Sequence, residues 1–202
     1  FCSRKCRFNF DLPDKVTDKQ EQILIGSMLG DGSLNKVRIK NQKSYFSETH
    51  GLPQKDYCYW KYKELEPFSC AFEPRKSKKP ILIDGKLISS DKTTDQWCAR
   101  TRSHDYFTNL ERKWYKRNEN GNYIFDNKGW RIKIIPNDLV LTPLSLSVWY
   151  FDDGSNFQTR EEIKFFTYGF SYDECEFLVE KIKNFSLKYV RVCTLSNHTN
   201  QY

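Results

Sequence analysis

The sequence predicts an α+β protein of two pseudo-symmetric halves, the second of them incomplete. Three observations predict it. An apolar stretch of helical character closed by Asp-Gly occurs twice, as LIGSMLGDG (24–32) and as LSVWYFDDG (146–154), and a serine follows each. The two Asp-Gly-Ser triplets stand 122 residues apart (153 − 31). Each triplet closes a helix and precedes a hairpin, so the order helix, hairpin, helix, strand runs twice, and a repeat in matching context carries more weight than a matching tripeptide.

Residues 1–16 read as a basic arm, with Arg4, Lys5, Arg7 and Lys15 and little periodicity. Thr17 with Gln20 three residues on is a capping-box spacing and predicts a helix over about 18–31, stopping at Gly32, where φ > 0 is easily adopted. NKVRIKNQKSYFSE alternates apolar and basic residues around a turn at 41–43, a hairpin with one basic face. PQKDYCYWKYKELE (53–66) opens on a first-turn proline and reads as an amphipathic helix. EPRKSKKP reads as a solvated loop, PILIDGKLIS and DQWCARTRS as strands, and about 104–115 as a helix. NGNYIFDNKGWRIKIIP is Gly- and Asn-punctuated extended chain connecting the halves. Thr142-Pro143 is an N-cap and N1 pair, opening a helix to Gly154. A hairpin (SNFQTREEIKFFTYG), a helix capped by Ser171 and Glu174, and a strand LKYVRVCTL complete the second pass.

The 202 residues (24.2 kDa) are enough for one substantial core or two of about 100 residues each. A net charge of +7, a pI near 8.9 and 16% aromatic residues, with no membrane-length apolar run, point to a polyanionic partner, nucleic acid first. Seven scattered cysteines, odd in number, and the lack of an apolar leader argue for free thiols in a reducing compartment. The three histidines fall at no zinc-ligand spacing. Alanine occurs only twice, while Lys, Asn, Phe, Tyr and Ile are abundant, the residues of AT-rich codons, so the gene is expected in an AT-rich genome such as an organelle's. The chain opens at Phe1 without methionine and is read as processed or partial.

Both motif helices are apolar on too many sides to lie on a surface. Gly26 and Gly30, four apart on one face, would let a partner backbone approach, so the helices are expected to pack on each other with Asp31 and Asp153 at one end. Two carboxylates about 4 Å apart repel by roughly 4 kcal/mol at an effective dielectric near 20, which calls for protonation, basic neighbours or a cation. Mg2+ or Mn2+, a hard ion held by one or two carboxylates, water and phosphate oxygens, suits such a pair. The hairpins would supply a basic surface through Lys36, Arg38, Lys40, Lys43, Arg100, Arg102, Arg160 and Lys164, and a β-ribbon fits the major groove of DNA. Taken singly, an Asp-Gly is most often a turn and a basic strand face is most often solvated. The repeat in register favours the functional reading.

LIGSMLGDG and LSVWYFDDG resemble the two signature helices of the LAGLIDADG homing endonucleases, particularly the monomeric, two-motif class of organellar introns. KIIPNDLVLTPLSLSVWYFDDGS and FSYDECEFLVEKIK extend the resemblance, which runs from Thr17 to the end of the chain. It implies two αββαββα halves, 17–136 and 137–202, forming a saddle over double-stranded DNA, and Mg2+-dependent cutting of both strands of a long site. It also implies that Asp31 and Asp153 hold metal, that Asp152 is a helix-end or supporting group, and that Lys133 orients water or stabilises charge. Two departures stand out. Where many relatives have a glutamine before the second helix, this chain has Glu48, Thr49 or His50. The chain also stops at Tyr202, before a second counterpart of Lys133. The competing expectation is a protein that keeps the fold without cutting and binds structured RNA, as a splicing maturase or a component of a ribonucleoprotein. A DNA-binding regulator is disfavoured, as no helix-turn-helix is evident.

Overall fold

The structure, a computed structural model of the chain, describes residues 11–36, 43–83, 86–157, 162–185, 187 and 189–193; of residues 77–94 and 157 only the backbone is considered. The first element follows from its cap. Thr17 Oγ1 accepts from Gln20 N at 3.3 Å and Gln20 Oε1 accepts from Thr17 N at 3.0 Å, which opens α1 (Asp18–Leu29). The helix stops two residues before the expected end, because Gly30 N–H turns back to the carbonyls of Gly26 and Ser27. Gly32 is required for space and not for a positive φ: a Cβ there would lie 2.7 Å from the ring of Phe46 and from Ser27 O.

After α1 come β1 (Ser33–Lys36), β2 (Ser44–Gly51), a single 3-10 turn at 52–54, α2 (Lys55–Glu64), β3 (Ser69–Ile83), β4 (Lys86–Thr101) and α3 (Asp105–Trp114). The strands form one antiparallel sheet in the order β1-β2-β4-β3. The expected loop EPRKSKKP is instead part of β3, whose backbone pairs with β4 as far as Ile83. Its prolines are tolerated because β3 is an edge strand, with register shifts at Ser69/Ala71 and Lys78/Pro80. Between Tyr115 and Lys133 the chain folds back on itself through isolated bridges at 115–133, 117–123 and 125–131.

The second pass begins with a capping box on Thr142 and Ser145 that opens α4 (Pro143–Asp153). It continues through β5 (Gly154–Phe157) and β6 (Glu162–Phe165), an antiparallel pair, to α5 (Tyr172–Lys183), capped by Ser171 and Glu174 as the spacing predicts. The expected strand LKYVRVCTL is not formed by its described residues. A strand needs a partner, and among the described residues the second sheet ends at β6; Val190 and Val192 pack against the core without pairing.

The core lies between the sheet and the packed helices. Leu24, Met28, Phe46, Phe68, Phe107, Trp114 and Trp149 are all buried in it, and each apolar side chain so placed contributes about 1.5–3 kcal/mol. Helices α1 and α4 cross at close range, as the glycine spacing predicts. A Cβ on Gly26 would lie 2.5 Å from Ser145 O and 2.6 Å from Val148 Cβ, and one on Gly30 would lie 2.4 Å from Asp152 Cβ. Gly26→Val should therefore force the helices apart, at a cost of about 2–3 kcal/mol, which for a chain of this length lowers Tm by roughly 5–10 °C. Thermal denaturation followed by circular dichroism measures this; an unchanged Tm would contradict the close crossing.

Candidate functional site

The site is built where α1 and α4 end together. Gly30 and Asp152 occupy equivalent positions of the two motifs, and the missing side chain of one makes room for the other: Asp152 lies over Gly30 and reaches under the four-stranded sheet. There it meets β2, along which exposure alternates so that Ser44, Phe46, Glu48 and His50 face inward. The last two are polar residues at core positions, and α2 supplies their counterion. Lys61, wholly buried, lies 2.6 Å from Glu48 Oε2, 2.8 Å from Asp152 Oδ1, 3.0 Å from His50 Nε2 and 3.4 Å from Ser27 Oγ. Its ammonium also sits 4.4 Å above the ring of Tyr57, whose hydroxyl donates to Val148 O at 3.1 Å.

Charge balance follows from this packing. Burial pushes Lys61 toward neutrality, but Glu48 and Asp152 outweigh it and hold the ammonium above its ordinary range. Burial likewise raises Glu48, and Lys61 and His50 more than reverse it, so Glu48 stays ionised. Asp152 is pushed up to about 6 by burial and by Glu48, in spite of Lys61. Asp31, with its side chain 40% exposed, lies 3.4 Å from His50 Nδ1 through Oδ2; burial raises its pKa against the pull of His50 and Lys61.

Asp153 stands on the other side. It lines a cleft of about 220 Å³ together with Gly30, Lys133, Phe166 and Phe170, and its pKa is pushed up to about 6 by burial and by the charges of Asp31 and Asp152. Lys133 donates to Met28 O at 2.9 Å and to Gly30 O at 3.0 Å, so it satisfies orphan carbonyls at the C-terminus of α1. Burial brings its pKa down to about 8, although Asp153, Asp31 and Asp152 all draw it up. The predicted trio of Asp31, Asp153 and Lys133 thus gathers at one helix junction. The donor atoms of Asp31, His50 and Asp152 also fall within 4.8 Å of one another.

Of the predicted basic surface, Arg38, Lys40 and Arg160 lie outside the described residues. Lys36 is drawn toward Glu111 (3.8 Å) and over the Tyr123 ring, and Lys43 pairs with Asp105 at 2.7 Å. Arg100 is exposed on β4 opposite Ser47, next to Tyr45. Arg102 and Lys164 are half-buried. The outward face of β1 and β2 is otherwise polar: Asn35 donates to the hydroxyls of Ser33 and Ser47 at 3.0 Å each. Lys61 was missed from the sequence, although a signal existed. Cys58, Lys61 and Leu65 recur at i, i+3 and i+7, the buried face of an amphipathic helix, and a lysine on that stripe needs a buried counterion.

Two apolar helices packed through glycines, ending together in carboxylates and each running into an antiparallel hairpin, define an α+β protein of the motif-helix type. The chain belongs to the LAGLIDADG DNA endonuclease family, whose model matches residues 21–202. It is 32% identical over 164 residues to the cytochrome b mRNA maturase bI2 of Saccharomyces cerevisiae, a match covering 80% of this chain and 35% of the maturase. It is 28% identical over 191 residues to the probable intron-encoded endonuclease 1 of Wickerhamomyces canadensis, covering 90% of this chain and 71% of that protein. The chain therefore spans about a third of the maturase's length. Its fold matches the homing endonuclease I-WcaI bound to its DNA recognition sequence, with a TM-score of 0.61 and 22% identity, over 84% of this chain and 68% of the other.

The raised carboxylates set a pH dependence of stability without metal. Asp152 and Asp153, near 6 when folded and 3.8 as free groups, bind protons more tightly in the folded state. Stability is therefore lost as pH rises through about 4 to 6. Glu48, depressed on folding, acts oppositely and loses its contribution only as pH falls below its ordinary 4.5. In EDTA the Tm should be higher near pH 5 than at pH 7.5, and Asp153→Asn should raise the pH 7.5 value by a few degrees, on the order of 1 kcal/mol. Differential scanning calorimetry checks both. Lys61→Met alone, which strands two buried carboxylates, should cost about 3–5 kcal/mol.

Proposed function

We propose that this chain is a site-specific DNA endonuclease that uses Mg2+ or Mn2+ to break both strands of a long target. The observation that carries it is the convergence of Asp31, Asp153 and Lys133 at the joined ends of α1 and α4. A divalent cation fits the residues present: the donors are hard carboxylate oxygens, burial raises both aspartates, and the charge of Asp31 raises Asp153 further, a shortage of positive charge that an ion would relieve. Bound there, the ion would polarise the scissile phosphate and make its water acidic enough to attack.

The chain's own groups do the rest. Asp31 and Asp153 hold the ion and face the substrate from two helix ends. Lys133, charged at neutral pH with a pKa near 8, stands beside Asp153 to stabilise negative charge developing on the phosphate. Asp152 pairs with Lys61 and serves as a supporting group. The outward face of the sheet, with Asn35, Ser47 and Arg100, together with Arg102 and Lys164, would follow the DNA backbone and groove. On this reading residues 17–136 are the first half and 137–202 the second, the protein acts as a monomer, and its gene lies in an organellar intron. No helix among the described residues is long and apolar enough to cross a membrane.

The maturase relative supports a second reading, in which the same fold binds structured intron RNA without cutting. Cleavage of a randomised duplex library in Mg2+, read by sequencing the new ends, separates the two. The parent should cut, and Asp31→Asn and Asp153→Asn should each lower the rate by at least about 100-fold. Variants that cut like the parent would rule the mechanism out, and retention on structured RNA with no cleavage would favour the maturase reading. Log affinity for duplex DNA should fall with log salt at about 0.9 per phosphate neutralised, as measured by fluorescence anisotropy.

A further inference from the structure

Register decides which side chains stand on the outward face of the sheet. Ser44, Phe46, Glu48 and His50 of β2 face inward, so Tyr45 and Ser47 face outward, and residues directly opposite share their face: Asn35 with Tyr45, Ser33 and Arg100 with Ser47. Ser47 and Arg100 lie on the two central strands, and Ala71, opposite Arg100 on β3, brings only a methyl group to its flank. By residue type Asn35 is the adenine reader of this face, because an asparagine amide pairs with both N6 and N7. Its hydrogen bonds give it another role. Arg131 can only donate, and it lies 3.1 Å from Asn35 Oδ1 while donating to Leu34 O at 2.7 Å. The amide oxygen must therefore face Arg131, which turns Nδ2 to the hydroxyls of Ser33 and Ser47 at 3.0 Å each. Arg131 is itself held, 4.2 Å above the Tyr115 ring and 3.9 Å from the buried carboxylate of Glu111. Ser33 donates to Ser47 O at 3.1 Å, so the Ser47 hydroxyl proton has only the longer 3.3 Å contact with Ser33 Oγ. Arg100 beside it is exposed, and among the described residues its guanidinium has no hydrogen-bond or ion-pair partner; the Tyr45 ring lies 5.9 Å from it.

We propose that Arg100, with the Ser47 hydroxyl beside it, reads the acceptor edge of a guanine in the duplex target, and that Asn35, held by Arg131, is a positioning residue that reads no base itself. That assignment rests on the proposed binding of duplex DNA by this face. Guanine presents two acceptors, O6 and N7, in the major groove, and the guanidinium fork matches the pair. The Ser47 donor suits the same edge, whereas an adenine would set its N6 amino group against both side chains. Asn35 acts through Ser47: by donating to its hydroxyl oxygen it leaves that hydroxyl to give its proton to the base.

The test selects a randomised duplex library for binding to the intact chain without Mg2+, so that cutting is not required, and reads the base preference at each position by sequencing. Arg100→Ala should erase a guanine preference at one position and lower affinity for the preferred duplex roughly 10- to 100-fold. Arg100→Lys keeps the charge but not the fork; it should bind unselected duplex as the parent does and lose most of that preference. Ser47→Ala and Asn35→Ala should weaken the preference at the same position and at no other. Asn35→Asp keeps the acceptor for Arg131 but cannot donate to Ser47, and it should do the same. An adenine preference that vanishes in Asn35→Ala would make Asn35 a reader and overturn the proposal. An Arg100→Lys profile identical with the parent's would overturn it too, as would an Arg100→Ala variant that loses affinity for all duplexes alike with a salt slope smaller by about 0.9, the mark of a phosphate contact. A parent that enriches no duplex overturns the DNA-binding reading beneath it, a result distinct from a parent that enriches duplexes whose preferences Arg100→Ala leaves intact.

Discussion

The close crossing of α1 and α4 is the constraint on which the site depends. Helices packed through ordinary side chains keep their axes 8–10 Å apart, and the carboxylates at their ends would then be spread further. Gly26 and Gly30 remove that spacing on one face of α1, and the other helix brings Ser145, Val148 and Asp152 into the space. Three consequences follow from one contact. Asp153 feels the charge of Asp31, Asp152 passes under the sheet of the first half, and the carbonyls that end α1 are left for Lys133.

Burying charge in this way is costly unless the groups are paired, and two such clusters stand among the described residues. Around Lys61, one ammonium answers Glu48 and Asp152, with the imidazole of His50 as a third close neighbour. In the other cluster, the buried carboxylate of Glu111 accepts from Arg117 through both oxygens, at 3.0 and 2.9 Å, with Arg131 and Lys36 close by. Each cluster joins elements far apart in sequence. The first links α1, β2, α2 and α4; the second links α3 and β1 to the connecting segment that delivers Lys133. An apolar filling could stabilise either place as well, but it would not fix which helix meets which strand.

Much of the fold was legible in the amino-acid order because its signals are local. Capping boxes at Thr17 and Ser171, and the Thr142-Pro143 start, act within one turn, and the glycine pair on α1 marked its close-packed face. The misreadings are those in which partner strands decide. EPRKSKKP looks like a solvated loop until β4 offers it a ladder, and LKYVRVCTL looks like a strand although its described residues have no strand to pair with.

The same division holds for the site. The sequence by itself determined that two Asp-Gly helix ends recur 122 residues apart (153 − 31), that they belong together, and that a lysine precedes Ile134-Ile135-Pro136. Repetition and residue type are sufficient for that. Only the tertiary structure decided that Asp152 faces Lys61, that His50 lies between that ammonium and Asp31, and that Lys133 ends on the carbonyls of α1. A buried charge is set by the atoms that stand within about 3 Å of it, and those atoms come from four elements that chain order does not bring together.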